Sequence, residues 1–147
     1  MAPLQTFRTP FVSQNSLTEH IRGSLAEESA TVFLRRDFAH FGSYESVGSA
    51  LRALIRQGAL VKAGYGIYVK ARPSSLNGKP IPVAQLMVIA MEVMRKLGVQ
   101  AKEGKALQAY STGRSTQMPM AATLNVGNAR IRRRIGFGSI FVQYERE

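Results

Sequence analysis

The sequence predicts a mixed α+β fold, in which helices and short strands alternate along 147 residues. Apolar residues recur at helical spacing from Ser16 to Gln57. Short β-branched and aromatic segments, bounded by glycines, follow from Leu60 onward. The composition is 45% hydrophobic, which is ordinary for a globular protein and sufficient for one moderate core or two small ones.

The first predicted element after a loose N-terminal arm (residues 1–15) is a helix that begins at Ser16. The tetrapeptide Ser16–Glu19 fits a capping box, in which a serine hydroxyl and a glutamate carboxylate bind free backbone amides. Apolar residues at four-residue spacing then form a buried stripe. These are Leu17, Ile21 and Leu25.

A minimal strand and two further helices follow. Thr31–Phe33 is β-branched and aromatic, which suits a short strand. Arg35–Phe41 is predicted to be a short helix, and a longer helix is predicted over Tyr44–Gln57, where apolar residues share one face. Gly58 suits the end of this last helix.

Two short strands, Leu60–Ala63 and Ile67–Lys70, are predicted to form a hairpin. The intervening Gly64-Tyr65-Gly66 supplies the positive φ angles that a tight turn needs. Over residues 16–72 the order is therefore helix, strand, helix, helix, hairpin. That order predicts a winged helix-turn-helix, a domain that binds double-stranded DNA.

A second, smaller α+β domain is predicted over residues 83–147, after a linker at residues 73–82 that is rich in proline, serine and glycine. Its predicted elements are two helices followed by two strand regions. They lie at Val83–Leu97, Gly104–Tyr110, Met120–Val126 and Arg130–Tyr144.

The charge of the chain points to a polyanionic partner. Twenty basic residues face nine acidic ones, which gives a net charge of +11. Nucleic acid, an anionic membrane surface and an acidic protein are the candidates. We favour double-stranded DNA because a DNA-reading motif accompanies the charge. Residues 1–72 carry +4 and residues 73–147 carry +7, so the second half is also expected to contact an anion.

The candidate base-reading residues lie along the predicted third helix. In a helix-turn-helix, exposed residues near the N-terminus of the last helix meet base edges in the major groove. Arg52 is placed for a bidentate contact with guanine, and Arg56 for a phosphate. The full set is Ser43, Tyr44, Ser46, Ser49, Arg52 and Arg56. The alternative is that this set is only a solvated polar face.

Flanking contacts are predicted on both sides of that helix. Arg35 and Arg36 open the preceding helix and are placed to clamp the DNA backbone. Lys62, Tyr65 and Lys70 lie on the predicted hairpin, within reach of phosphates or a minor groove.

A run of arginines forms the second basic feature. In a strand, Arg130, Arg132 and Arg134 would share one face, opposite Ile131, Arg133 and Ile135. Three arginines on one face cannot be core, so they are expected to contact a phosphate backbone or an acidic protein. A solvated edge that discourages aggregation is the alternative.

The sequence offers no signature of an enzyme, a metal site or a cofactor site. It has no cysteine, one aspartate (Asp37) and two distant histidines, His20 and His40, which we expect to pack or to be solvated. The N-terminus lacks the pattern of a signal peptide, and no apolar stretch is long enough for a bilayer. We therefore expect a cytoplasmic protein without a membrane partner.

Several segments together resemble the winged-helix domain of AbiE-type antitoxins. They are Arg35–Phe38, Gly42-Ser43, Val47–Gln57, Leu60-Val61 and Gly66–Lys70. In the second half, Ala106–Tyr110, Ser115–Pro119 and Arg130–Arg132 resemble a short variant of the same group. The resemblance implies an antitoxin of a type IV toxin–antitoxin system. Such antitoxins repress their own operon and counter a nucleotidyltransferase-like toxin, typically without a stable complex.

Two other functions remain open at this stage. The chain would also suit a basic interaction protein of phage or plasmid origin that binds an acidic protein. It would equally suit an RNA-binding or nuclease-like module. The sequence leaves both a monomer and a homodimer open.

Overall fold

The computed structural model describes residues 14–114, 116 and 122–147, and these residues form a mixed α+β fold. The predicted α+β class is therefore confirmed. Most of the predicted N-terminal arm, residues 1–13, lies outside the described residues.

The N-terminal half contains the helices and strands predicted between residues 31 and 70, with bounds shifted by up to three residues. The elements are α1 (Gln14–Glu27), β1 (Val32–Leu34), a 3₁₀ helix (Arg35–Phe41), α2 (Tyr44–Arg56), β2 (Leu60–Gly64) and β3 (Ile67–Pro73). One prediction is wrong in detail, because Ser16 lies inside α1 and not at its N-cap. No glycine or proline between Gln14 and Ser16 interrupts the helix there.

Strands β1, β3 and β2 form an antiparallel sheet in that order, so Val69 of β3 lies between Val32 and Val61. The predicted linker at residues 73–82 is not an irregular segment. Its end forms β4 (Pro80–Pro82), which pairs with the end of β3. The Ser74 amide donates to the Lys79 carbonyl at 2.8 Å and closes the turn. Prolines are tolerated here because β4 has β3 as its only partner strand among the described residues.

The C-terminal half begins with α3 (Leu86–Lys96). Gly98, just beyond its C-terminus, adopts a left-handed conformation with a φ of 77°, which stops the helix. The following elements are β5 (Lys102–Glu103), α4 (Lys105–Ser111), β6 (Thr123–Asn125), β7 (Gly136–Phe137), β8 (Ile140–Phe141) and β9 (Gln143–Glu145). Strands β5, β6 and β9 form one sheet, and β7 pairs with β8. Met120 and Ala121, where a strand was predicted to begin, lie outside the described residues.

The strand predicted from Arg130 is wrong for residues 130–135, which are in no strand. Side chains occupy carbonyls that a neighbouring strand would otherwise bind. The Arg146 guanidinium donates to the carbonyls of Ala129 and Ile131, and the Tyr144 hydroxyl donates to that of Arg133 at 2.6 Å. Side-chain hydrogen bonds therefore hold this segment in place of a strand ladder.

The core has two clusters, one on each face of the β1-β3-β2 sheet. Phe33 and Tyr68 belong to the cluster beneath α1, α2 and the 3₁₀ helix. The residues before and after them in β1 and β3 belong to the other cluster, together with residues of α3 and β6 and with Ile135. Alternation along each strand produces this division. The second cluster therefore contains residues from both sides of the predicted linker.

Candidate nucleic-acid interface

The N-terminus of α2 is capped by Ser43, whose hydroxyl accepts a hydrogen bond from the Ser46 amide at 3.1 Å. A serine in this role satisfies a backbone donor that the helix itself leaves free. Tyr44, the next residue, is 69% exposed. The hydroxyl of Ser43 thus already has a structural task, and its part in base reading stays a prediction.

A cleft of about 440 Å³ lies between α2 and the β2–β3 hairpin. We call it the basic cleft. Its charged lining is entirely cationic and consists of Arg35, Arg36, Arg52, Lys62 and Arg133. Three tyrosines line it as well, namely Tyr44, Tyr65 and Tyr68. The structure thus brings together four of the predicted cations with Tyr44 and Tyr65.

The cations of the basic cleft contact aromatic rings and neutral oxygens. The Arg35 guanidinium lies 4.0 Å from the centre of the Tyr44 ring and also donates to the Tyr44 carbonyl. Arg52 donates to the Ser49 hydroxyl at 3.1 Å, and the Lys62 ammonium lies 5.7 Å from the Tyr65 ring centre. Among the described residues, the ion pairs all lie elsewhere. No acidic residue among the described residues forms an ion pair with a cation of the cleft.

Arg133 is the cleft cation that sequence reasoning missed. Its guanidinium donates to the Tyr65 carbonyl at 3.2 Å, so it joins the tip of the hairpin across 68 residues. Strict alternation had placed it with Ile131 and Ile135, facing the core. No local pattern could have revealed this contact, because it depends on how the segment 130–135 packs against the hairpin.

Tyr68 is the most deeply placed polar group of the cleft, at 8% exposure. Its ring packs edge-on against Phe38, with 5.9 Å between the ring centres. Its hydroxyl makes no hydrogen bond to any residue that the structure describes. Burial raises the pKa of Tyr68 above its ordinary value of 10.0, while Arg35 and Arg52 oppose that rise.

Two of the cations predicted to contact DNA in the N-terminal half, Lys70 and Arg56, lie outside the lining of the cleft. The Lys70 ammonium donates to the Glu28 carbonyl just beyond the end of α1, where a cation also interacts favourably with the helix dipole. Lys70 therefore joins β3 to the residue that follows α1, and its contact with DNA stays a prediction. Arg56 is exposed in the last turn of α2 and lies outside the lining of the cleft.

The three alternating arginines do not share the face of a strand, because residues 130–135 are in no strand, and this corrects the strand-face prediction. Arg130 and Arg132 line a second pocket of about 550 Å³, together with Tyr144 and Arg146. Arg134 is outside that pocket, and its guanidinium lies 4.2 Å from the centre of the Phe141 ring. Because the segment is not a strand, its side chains do not alternate between two faces as the prediction assumed.

A family model matches residues 17–144 of the chain. The chain belongs to DUF6088, a family of unknown function. The match runs from α1 to β9 and so includes both α2 with its hairpin and the arginine segment. No curated protein matches the chain.

Other kinds of site find little support in the described part of this DUF6088 chain. Residues 14–114, 116 and 122–147 contain no group of three or more His, Cys, Asp or Glu that could hold a metal ion. Within the same residues, no helix has both the length and the apolarity needed to cross a membrane. His20 packs edge-on against Phe41 with 5.3 Å between the ring centres, and the His40 ring lies tilted against the same ring at 4.1 Å.

Proposed function

We propose that this chain is a sequence-specific DNA-binding regulator, built as a winged helix-turn-helix with a C-terminal α+β extension. One observation carries the proposal. The exposed N-terminal turn of α2 lies beside a cleft whose cations have no acidic partner among the described residues. The order of elements and the β1-β3-β2 strand order support the same proposal. In helix-turn-helix proteins, this end of the last helix meets base edges.

In this proposal α2 enters the major groove, and the β2–β3 hairpin lies along its flank. Arg52 supplies a fork of donors that matches the two acceptors of guanine. The remaining cleft cations neutralise phosphates and fix the orientation of the protein on the duplex. Arg130 and Arg132 lie in a separate pocket and supply further phosphate contacts.

The deciding experiment compares the DNA upstream of the gene with random duplexes of equal length, over a range of salt concentrations. A specific regulator binds its own site about 10³-fold or more tightly than random DNA. Replacing Arg52 by alanine should cost about 1–3 kcal/mol on the specific site and relax its base preference. Arg95→Ala is the matched control, because Arg95 pairs with Glu92 on α3.

Two results would contradict the proposal. Equal affinity for upstream DNA, random DNA and RNA would indicate a general polyanion binder. An unchanged footprint and affinity for Arg52→Ala would show that Arg52 does not contact a base.

The resemblance to AbiE-type antitoxins supports a narrower proposal, in which the regulator represses its own operon and counters a toxin. The motif Ser115–Pro119, which carries part of that resemblance, lies mostly outside the described residues. Co-expression with each neighbouring gene tests this role. Rescue of growth from a toxic neighbour supports it, and the absence of any toxic neighbour contradicts it.

A further inference from the structure

The basic cleft is lined by a buried tyrosine, Tyr68, as well as by its cations. Tyr68 is 8% exposed and lines the cleft, and its hydroxyl has no hydrogen-bond partner among the described residues. A buried polar group without a partner is costly, so such groups in native proteins call for an explanation. A ligand that accepts a hydrogen bond inside the cleft would supply the missing partner.

The cations around Tyr68 indicate the charge of that ligand. Arg35, Arg52, Lys62 and Arg133 line the same cleft from four separate elements or segments, and no acidic residue lines it. Like charges gathered in this way repel one another, and an anion relieves the repulsion. Guanidinium groups in particular match the oxygens of a phosphate, to which they donate two hydrogen bonds at once.

The size and the aromatic lining indicate more than a bare anion. A volume of about 440 Å³ lies within the range of small-molecule sites. Tyr44 and Tyr65 are 69% and 83% exposed at its margin, and Arg35 or Lys62 contacts each ring. Exposed aromatic rings beside cations are suited to stacking with nucleobases.

We propose that the basic cleft is a nucleotide subsite, in which Tyr68 and the surrounding cations bind a phosphate ester and Tyr44 or Tyr65 stacks on the attached base. The phosphate ester belongs either to a free nucleotide or to a strand of bound DNA, and the chemistry of the subsite is the same for both. The subsite goes beyond base reading by α2, and it does not require that the chain bind DNA at all.

The test uses the full chain and calorimetric titration with AMP, ATP and pyrophosphate, with adenosine as the uncharged probe. Saturable binding is expected for the phosphate-bearing probes and not for adenosine. Tyr68→Phe removes one hydrogen bond to a charged group, so binding should weaken about 10- to 100-fold. Arg133→Gln should weaken binding to a similar degree, because it removes a cation from the same site.

Tyr68→Phe is informative because the ring and its contact with Phe38 are retained, and the lost hydroxyl has no partner among the described residues. The melting temperature of this variant should therefore not fall. Two control variants change the same residue types outside the cleft. These controls are Tyr110→Phe on α4 and Arg95→Gln on α3. Both should bind every probe as the unaltered chain does.

The outcomes separate the source of the phosphate and also separate this inference from the proposed function. Nucleotide binding that weakens in Tyr68→Phe identifies a free nucleotide as ligand, even if no duplex binds. Duplex binding that weakens in the same variant, without nucleotide binding, identifies a phosphate of DNA. If neither responds to Tyr68→Phe and Arg133→Gln, the inference is overturned, while specific duplex binding could still uphold the proposed function.

Discussion

At the scale of single residues, a buried tyrosine, Tyr68, and a half-buried one, Tyr144, show how one side chain can serve packing and another can serve a ligand. Burial raises the pKa of both Tyr68 and Tyr144, and neighbouring arginines oppose the rise in each case. Tyr144 donates its hydroxyl proton to the Arg133 carbonyl at 2.6 Å, which helps to hold Arg133 beside the hairpin. Tyr68 has no such partner among the described residues. The hydroxyl of Tyr144 is therefore structural, and the hydroxyl of Tyr68 is available to a ligand.

These raised pKa values predict a loss of stability in alkali. Above pH 10 the unfolded chain releases the tyrosine protons, whereas the folded chain retains those of Tyr68 and Tyr144. Because the folded state then binds more protons, the free energy of unfolding falls as pH rises further. The stabilisation is complete below pH 10 and is lost as the pH rises through the raised pKa values.

Ultraviolet absorbance of tyrosinate measures this directly, since the sequence has five tyrosines and no tryptophan. Tyr68 and Tyr144 should ionise at a higher pH in the folded protein than in denaturant, and Tyr68→Phe should remove one of these late steps. Ionisation of Tyr68 and Tyr144 at the same pH in the folded protein as in denaturant would contradict the expectation.

At the scale of elements, the hairpin and the segment 130–135 form one unit. Gly66 has a φ of 70° in the two-residue turn, a conformation that favours glycine. Gly64 is required for a different reason. A Cβ atom at Gly64 would overlap the carbonyl oxygen of Arg134, so the backbones meet where no side chain fits. This approach brings Arg133 to the hairpin.

Gly64→Ala should therefore destabilise the protein by about 1–3 kcal/mol, which is typical of an overpacked position. The matched control is Gly23→Ala in α1, where an added Cβ meets nothing within 4 Å. That change should stabilise the protein by about 0.4–1 kcal/mol, because alanine loses less conformational freedom on folding than glycine. Thermal or urea unfolding measures both. Equal effects of the two substitutions would show that the contact with Arg134 is not restrictive.

Elements whose signals are local were predictable from the sequence. The helix α2 follows from the spacing of its apolar residues, and the β2–β3 hairpin follows from Gly64 and Gly66. Strand β4 was missed because prolines predict a loop, and only its partner β3 gives it strand structure. The segment 130–135 was mistaken for a strand because Tyr144 and Arg146, which bind its carbonyls, follow it in sequence by about ten residues or more. Arg133 was missed for the same reason.

At the scale of the whole molecule, the β1-β3-β2 sheet is covered on both faces. The 3₁₀ helix, α1 and α2 cover one face, and α3 with the C-terminal strands covers the other. Polar contacts join the halves as well. Lys96 of α3 pairs with Asp37 at 3.0 Å, and Arg36 donates to the Lys96 carbonyl. The candidate DNA surface and the C-terminal half therefore share one sheet.

The sequence predicted two domains joined by a linker at residues 73–82, which implies that a fragment ending near Arg72 folds alone, but the shared sheet leads us to expect that it does not. Removing residues 73–147 uncovers one face of the sheet. That face carries Val32, Leu34, Val61, Ala63, Ile67 and Val69. Each larger aliphatic side chain loses about 1.5–3 kcal/mol of burial energy, and the sum rivals the entire stability of a typical domain.

Circular dichroism during heating tests this expectation on the fragment 1–72. The full chain should unfold in one cooperative step, whereas the fragment should lose signal gradually and bind a dye specific for exposed apolar surface. Adding the fragment 73–147 should restore a cooperative transition, because it covers the exposed face again. This control shows whether the fragment 1–72 lacks only the core residues that the fragment 73–147 supplies, or is unable to fold even when they are present. If the fragment 1–72 melts cooperatively by itself, close to the full chain, the C-terminal half does not contribute essential core. The division predicted from the sequence would then stand.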